Sequence, residues 1–117
     1  LVACDNIVSN SVKPPEPMIE LYVKMLNTLG FNYTIDDFHR LGERIYNLTR
    51  LFNVREGITR KDDRLPERFH KPREDTGWFI DKSSFEKLLD MYYEARGWDQ
   101  NGIPKKELIE ALGIHEL

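Results

Sequence analysis

Apolar residues recur at helical spacing in several separate stretches of the chain. In the first, Met18, Leu21, Tyr22, Met25, Leu26 and Leu29 return every three or four positions, and Gly30 follows. This spacing lines one face of an α-helix, and a glycine just past its end is the usual stop. In the second, Phe38, Leu41, Ile45, Leu48 and Phe52 keep one face apolar over about four turns. Arg40, Glu43, Arg44, Asn47 and Arg50 fall largely on the other faces. Thr34 with Asp37 three residues on resembles a capping box, and Asp36 and Asp37 set negative charge on the positive end of the helix dipole. The pattern predicts a core face containing Leu48, so Leu48→Asp is expected to cost several kcal/mol by stranding a charge there.

A third helix is predicted from Phe85, Leu88, Leu89, Tyr92 and Ala95, with Ser83 and Glu86 as its capping box and Gly97 as its stop. After the turn Asp99-Gln100-Asn101-Gly102, Pro104 stands where a first helical position tolerates proline. Leu108, Ile109 and Leu112 then predict a short last helix closed by Gly113. Between the second and third helices, residues 56–80 hold Pro66, Pro72 and Gly77 without a sustained period. They predict a long loop with a short helical turn near Pro66 to Phe69. Residues 1–17 read as an irregular lead-in, because Pro14, Pro15 and Pro17 block a helix and Asp5, Asn6, Ser9, Asn10 and Ser11 compete for backbone hydrogen bonds. Nothing alternates at the period of a strand. The fold class is therefore all-α: about four amphipathic helices over residues 18–117, joined by long irregular connections.

Composition narrows the class further. The chain has 117 residues, 40% of them hydrophobic and 32% charged, which suits one globular domain rather than a disordered chain. Seventeen Lys and Arg against 20 Asp and Glu give a net charge of -3, so no overall field favours nucleic acid or an anionic membrane. No apolar run approaches the roughly 20 residues of a membrane helix, and no signal-peptide pattern is present, so a cytoplasmic protein is expected. Cys4 is the only cysteine. One thiolate cannot hold a metal that takes about four ligands, so if Cys4 is a ligand its partners lie elsewhere. The chain starts Leu1-Val2-Ala3-Cys4 without an initiator Met, and a portion preceding it is expected.

Other candidate chemistry gives way to structural roles. An EF-hand loop starting at Asp99 would put Ile103 where an oxygen ligand belongs and Pro104 where the loop needs glycine, so a turn is the better reading. His39, His70 and His115 stand far apart, with no ligand or nucleophile at working spacing. Between Arg55 and Arg64, the cations Arg55, Arg60, Lys61 and Arg64 alternate with Glu56, Asp62 and Asp63. Such mixing predicts internal ion pairs or a docking surface rather than a phosphate-binding strip. Tyr92, Tyr93 and Trp98 lie on or just after a strongly amphipathic helix and read as packing residues, not a base-stacking platform. Cys4 taken alone reads as a buried thiol.

Five blocks carry a resemblance. Leu41-Gly42-Glu43-Arg44-Ile45-Tyr46-Asn47-Leu48 is followed by Arg50-Leu51-Phe52-Asn53-Val54-Arg55-Glu56-Gly57, and then by Thr59-Arg60-Lys61-Asp62-Asp63-x-Leu65-Pro66. Farther on stand Tyr92-Tyr93-x-x-Arg96-Gly97-Trp98-Asp99-x-x-Gly102-Ile103-Pro104 and the closing Leu112-Gly113. In this order they resemble the C-terminal region of the aldehyde ferredoxin oxidoreductase family. That resemblance implies a tungsten or molybdenum bis-pterin cofactor beside a 4Fe-4S cluster, and oxidation of aldehydes to carboxylic acids with ferredoxin as acceptor. It implies three cluster cysteines in an N-terminal portion and a fourth in a segment of type Asp-x-x-Gly-Leu-Cys. Leu1-Val2-Ala3-Cys4 matches the end of that segment, with Val2-Ala3 where Gly-Leu is common.

The resemblance makes Cys4 the metal- and cofactor-binding residue, assigns no catalytic residue, and makes residues 1–17 the side facing cluster and pterin. The partners implied are the N-terminal portion of the same enzyme, ferredoxin and an aldehyde. The chain by itself is expected to hold no iron, tungsten or pterin and to be inactive. Two other readings stay open: a helical interaction module without redox activity, and part of a related tungsten acyl-CoA reductase subunit. Exposed Trp78 and Phe79 would mark a docking face.

Overall fold

The computed structural model describes residues 15–114. Cys4, the rest of the 1–14 lead-in and His115 lie outside the described residues. Among those described, the chain forms α1 (Pro15–Thr28), α2 (Ile35–Arg55), a 3₁₀ turn (Glu67–His70), α3 (Lys82–Ala95) and α4 (Lys106–Ala111). No strand interrupts them, and Trp98 and Pro104 make one isolated antiparallel bridge. The all-α reading holds, and the predicted turn after Pro66 is the 3₁₀ segment. The chain divides into two compact units, residues 1–43 and 44–117.

In the first unit, Val23 and Leu26 of α1 are buried, and the Tyr22 and Phe38 rings stack with centroids 5.8 Å apart. The helix closes as the glycine predicted. The Gly30 N–H donates to the Asn27 carbonyl and the Phe31 N–H to the Leu26 carbonyl, with Gly30 at φ 92°. This is the Schellman arrangement, in which a left-handed residue lets two otherwise orphaned carbonyls accept. The other three helices end the same way, at Gly57, Gly97 and Gly113. At the start of α2, the Asp37 carboxylate accepts from the Thr34 N–H and hydroxyl at 2.9 and 2.6 Å, while the Asp37 N–H donates to the Thr34 oxygen. These bonds hold the Asp37 carboxyl below its usual range.

In the second unit, α3 begins differently from expectation. Asp81 is its N-cap, accepting from the Ser84 N–H at 2.9 Å and from the Ser83 hydroxyl, and the helix starts at Lys82. A carboxylate is a stronger acceptor than serine at a positive helix end. Glu86, expected to reach back to the cap, instead meets Arg60 at 2.7 Å. Pro104 also lies outside α4, whose N-cap is Lys105, because Pro104 is engaged in the bridge with Trp98.

The largest departure concerns α2. Its apolar row was expected to form the core, yet Ile45, Leu48 and Phe52 are 58%, 41% and 48% exposed. Asn47 and Arg50 are buried instead, with Asn47 fully covered. Around them sit the buried Tyr93 and Trp98, and Leu112 is buried as well.

Candidate functional site

The buried seam of the second unit is organised by Arg50. Three segments meet there: the last turns of α2, the loop after Gly57, and the stretch from Tyr93 to Gly102. The Arg50 Nη1 and Nη2 atoms grip the two Asp63 oxygens at 2.9 and 2.5 Å, and Nε donates to the Gly102 carbonyl at 2.7 Å. Its guanidinium also lies 5.0 Å from the Trp98 ring centroid. A planar, forked cation satisfies a carboxylate and a carbonyl together in a way that lysine cannot. Tyr93 closes the set by donating its hydroxyl to Asp63 at 2.5 Å.

The loop is shaped to present Asp63. The Thr59 N–H donates to the Asp62 carboxylate, and the Asp62 and Asp63 amides donate to the Thr59 and Arg60 carbonyls, so the chain coils tightly just before Asp63. On the other side, Asp99 Oδ1 accepts from the amides of Asn101 and Ile103, both at 2.8 Å. This turn delivers the Gly102 carbonyl to Arg50. It is the structural turn expected, with the carboxylate facing backbone amides as an anion does rather than a cation. Gly102 sits at φ 75°, and a Cβ there would run into the Arg50 guanidinium and come within 2.8 Å of Tyr93 Cζ. Both backbone angle and space therefore demand glycine.

An aromatic layer backs this polar centre. Trp98 donates its indole N–H to Asn47 Oδ1 at 2.7 Å, stacks on Tyr46 at 5.9 Å and meets Tyr92 edge-on at 5.8 Å. The Tyr46 and Tyr92 hydroxyls are 2.6 Å apart, and Arg96 lies 4.3 Å over the Tyr46 ring. Farther out, Arg60 joins Glu86 and Asp90 of α3 and donates to the Gln100 carbonyl. Internal ion pairing is thus what the mixed-charge run does.

The electrostatics follow from these contacts. Burial pushes the Asp63 carboxyl up, but the hydrogen bonds from Arg50 and Tyr93 outweigh it and hold the group below its usual range. Burial and the bond to Asp63 push the Tyr93 phenol up to about 12. Burial and the Tyr46 hydroxyl do the same to Tyr92, also to about 12. At neutral pH the centre is thus an ion pair with a neutral phenol attached. Such a set fixes geometry; its donors and acceptors are engaged with one another.

Of the residues the sequence singled out, Tyr93 and Trp98 take the packing role expected. His70 donates its Nδ1–H to the Ile80 carbonyl at 2.7 Å and meets Phe85 edge-on, a structural role. Among the described residues, no three His, Cys, Asp or Glu side chains gather as a metal-holding group. Cys4, the residue expected to bind metal, lies outside the described residues. Sequence reasoning missed Asn47, Arg50 and Asp63 as a unit. Their signal was Arg50, which has no oppositely charged residue three or four positions away on its helix and so must find its partner elsewhere.

Comparison with known proteins fits this framework. The family model described as aldehyde ferredoxin oxidoreductase, domains 2 and 3, matches residues 1–114. The tungsten-containing aldehyde ferredoxin oxidoreductase of Pyrococcus furiosus is 39% identical over 98 residues, covering 81% of this chain and 16% of that protein. The Pyrococcus horikoshii enzyme of the same name is 37% identical over the same length. An aliphatic sulfonate oxidoreductase WOR-like subunit of Pyrococcus furiosus is 34% identical over 111 residues, covering 86% of this chain and 18% of that protein. Among solved structures, the active-site complex BamBC of benzoyl coenzyme A reductase with 1,5-dienoyl-CoA matches at 30% identity and a TM-score of 0.60. That match covers 73% of this chain and 12% of the other.

The helices and their polar seam define a small all-α domain, similar to part of known oxidoreductases. More narrowly, the chain belongs to the aldehyde ferredoxin oxidoreductase family, in the region described as its domains 2 and 3. It spans 16% of the length of the first of these relatives.

Proposed function

We propose that this chain is the C-terminal helical part of a tungstopterin aldehyde ferredoxin oxidoreductase and contributes Cys4 as one ligand of the 4Fe-4S cluster. The observation that carries the reading is the family match across residues 1–114, which includes Cys4. The assembled enzyme takes two electrons from an aldehyde as a water oxygen enters it, releases a carboxylic acid and two protons, and passes the electrons to ferredoxin. The three remaining thiolates, the pterin and tungsten (or molybdenum) belong to the rest of the enzyme. Cys4 would supply thiolate charge to the cluster.

Asn47, Arg50, Asp63, Tyr93, Trp98 and Gly102 all fall inside the blocks that resemble the family. What those blocks encode is thus the frame that holds the domain, which supports the assignment of no catalytic residue to them. A second reading keeps the cofactors and changes the substrate to an aromatic acyl-CoA; the similarity to the benzoyl coenzyme A reductase complex favours it. A helical module without redox activity is the third reading.

Cys4→Ala in the full-length enzyme tests the assignment. The expected result is a cluster with one labile iron or a three-iron form, seen by iron analysis and electron paramagnetic resonance, with dye or ferredoxin reduction falling steeply. An unchanged 4Fe-4S signal with normal turnover makes Cys4 an ordinary thiol. Turnover with an aromatic acyl-CoA and none with aldehydes selects the second reading.

A further inference from the structure

Asn101 is the one asparagine of the chain that a glycine follows, and the pair sits in the turn that delivers the Gly102 carbonyl to Arg50. Asn101 is exposed and Gly102 is buried. With no Cβ to shield it, a glycine amide nitrogen can attack the side-chain carbonyl of an asparagine just before it, which makes such a pair chemically labile. The seam nevertheless requires this glycine, because Gly102 has φ 75° and a Cβ there would run into Arg50 and Tyr93. The backbone on both sides of the labile bond is held. The Asn101 and Ile103 amides donate to Asp99 Oδ1 at 2.8 Å, the Gly102 N–H donates to the Asp99 carbonyl at 3.0 Å, and the Gly102 carbonyl accepts from Arg50 Nε at 2.7 Å.

We propose that Asn101-Gly102 is a site of spontaneous deamidation and that the Arg50 seam keeps it closed. In the reaction the Gly102 nitrogen bonds to Asn101 Cγ, the Cγ–Nδ2 bond breaks, and the displaced NH2 leaves as ammonia with the proton that the Gly102 amide gives up. Water then opens the resulting imide ring. Breaking the bond from Cγ to the ring nitrogen leaves aspartate, and breaking the bond from the main-chain carbonyl leaves isoaspartate. Ring closure needs the Gly102 nitrogen to lose its proton and to swing toward Asn101 Cγ. Both changes sacrifice the bond to the Asp99 carbonyl, and the swing also pulls against the grip of Arg50 on the next carbonyl. The folded chain therefore reacts only through local openings of the turn. Isoaspartate lengthens the main chain by one methylene immediately before Gly102, so its carbonyl no longer lines up with Arg50 Nε. An opening that reacts before it recloses cannot restore the seam.

The test incubates the full-length protein at mildly alkaline pH, native and unfolded in guanidinium chloride, and follows the peptide containing Asn101 by its amide-to-acid mass change and by the chromatographic separation of aspartate from isoaspartate. The expected result is ready deamidation in the unfolded protein and a rate slower by about tenfold or more in the native one. Arg50→Lys keeps a cation beside Asp63 but loses the fork that also reaches Gly102, so its native rate should rise severalfold toward the unfolded one. Equal rates in native and unfolded protein overturn the proposal, as does an unfolded protein that yields no product or an Arg50→Lys variant that deamidates as slowly as the parent. Should that variant fail to fold, the unsubstituted protein decides the matter in guanidinium below its unfolding transition. There, deamidation of Asn101 and hydrogen exchange of the Gly102 amide should rise together; deamidation that climbs while the Gly102 amide stays protected overturns the gating.

Discussion

The two faces of α2 within residues 44–55 invert the ordinary rule. Its apolar face stays open, and its polar face, with Asn47 fully covered and Arg50 nearly so, is the one the domain closes upon. The difference lies in partners. Each buried polar group finds a complementary one: two Asp63 oxygens and a carbonyl for Arg50, an indole N–H for Asn47. A polar group so matched can be buried at little net cost, whereas the same group unmatched costs the full loss of hydration. Apolar side chains need no specific partner.

The polar face is accordingly expected to be the fragile one. Arg50→Ala strips Asp63 of its forked hydrogen-bonding cation, leaving only the charge of Arg60 nearby, removes the Arg50 Nε donor to the Gly102 carbonyl, and removes a side chain stacked on Trp98. The expected loss is about 3–5 kcal/mol, the range for breaking one side of a buried pair. Urea unfolding of the chain measures it, and a loss below about 1 kcal/mol would show that the seam is not what holds these segments together.

A smaller effect should appear with pH. The Tyr93 phenol is raised in the folded state to about 12 from an ordinary value of 10.0. A raised folded value means that its stabilisation is full below about pH 10 and is lost as pH climbs through about 12. A shift of this size corresponds to about 2–3 kcal/mol between those limits. Asp63 is lowered, so its share is present above the usual carboxylate range and is lost as pH falls through its folded value. Stability should therefore be flat across neutral pH and decline on both sides. Tyr92 is raised to the same value, so Tyr93→Phe should remove about half of the alkaline decline; a decline left intact in that variant would assign it to Tyr92 and other groups.

The apolar face should be the forgiving one. With Leu48 at 41% exposure, Leu48→Asp should cost the chain about 1 kcal/mol or less, in contrast to the several kcal/mol that the apolar pattern alone predicts. Thermal unfolding decides it, and a loss of several kcal/mol would mean that the row is covered within the chain itself.

Much of the scaffold was legible because its causes are local. Thr34 with Asp37 starts α2, and Gly30, Gly97 and Gly113 close their helices, through contacts made within a few residues. The start of α3 was misplaced because Ser83 and Asp81 compete for the same amides, and Glu86 was claimed by Arg60 from 26 positions away in sequence. The resemblance blocks fixed the family, and they also contained every member of the polar seam without showing that the members touch.

By itself, then, the sequence determined the helices, their glycine stops, the absence of strand periodicity and the family, since each depends on short-range spacing or on the order of residue types. Tertiary structure alone decided which side of α2 is buried. Arg50 meets Asp63 across 13 positions and Gly102 across 52, and Trp98 reaches Asn47 across 51. An amphipathic pattern states only that a helix has two unlike faces. Which of them turns inward depends on whether distant segments bring groups that satisfy the polar one, and that information exists only once the chain has folded.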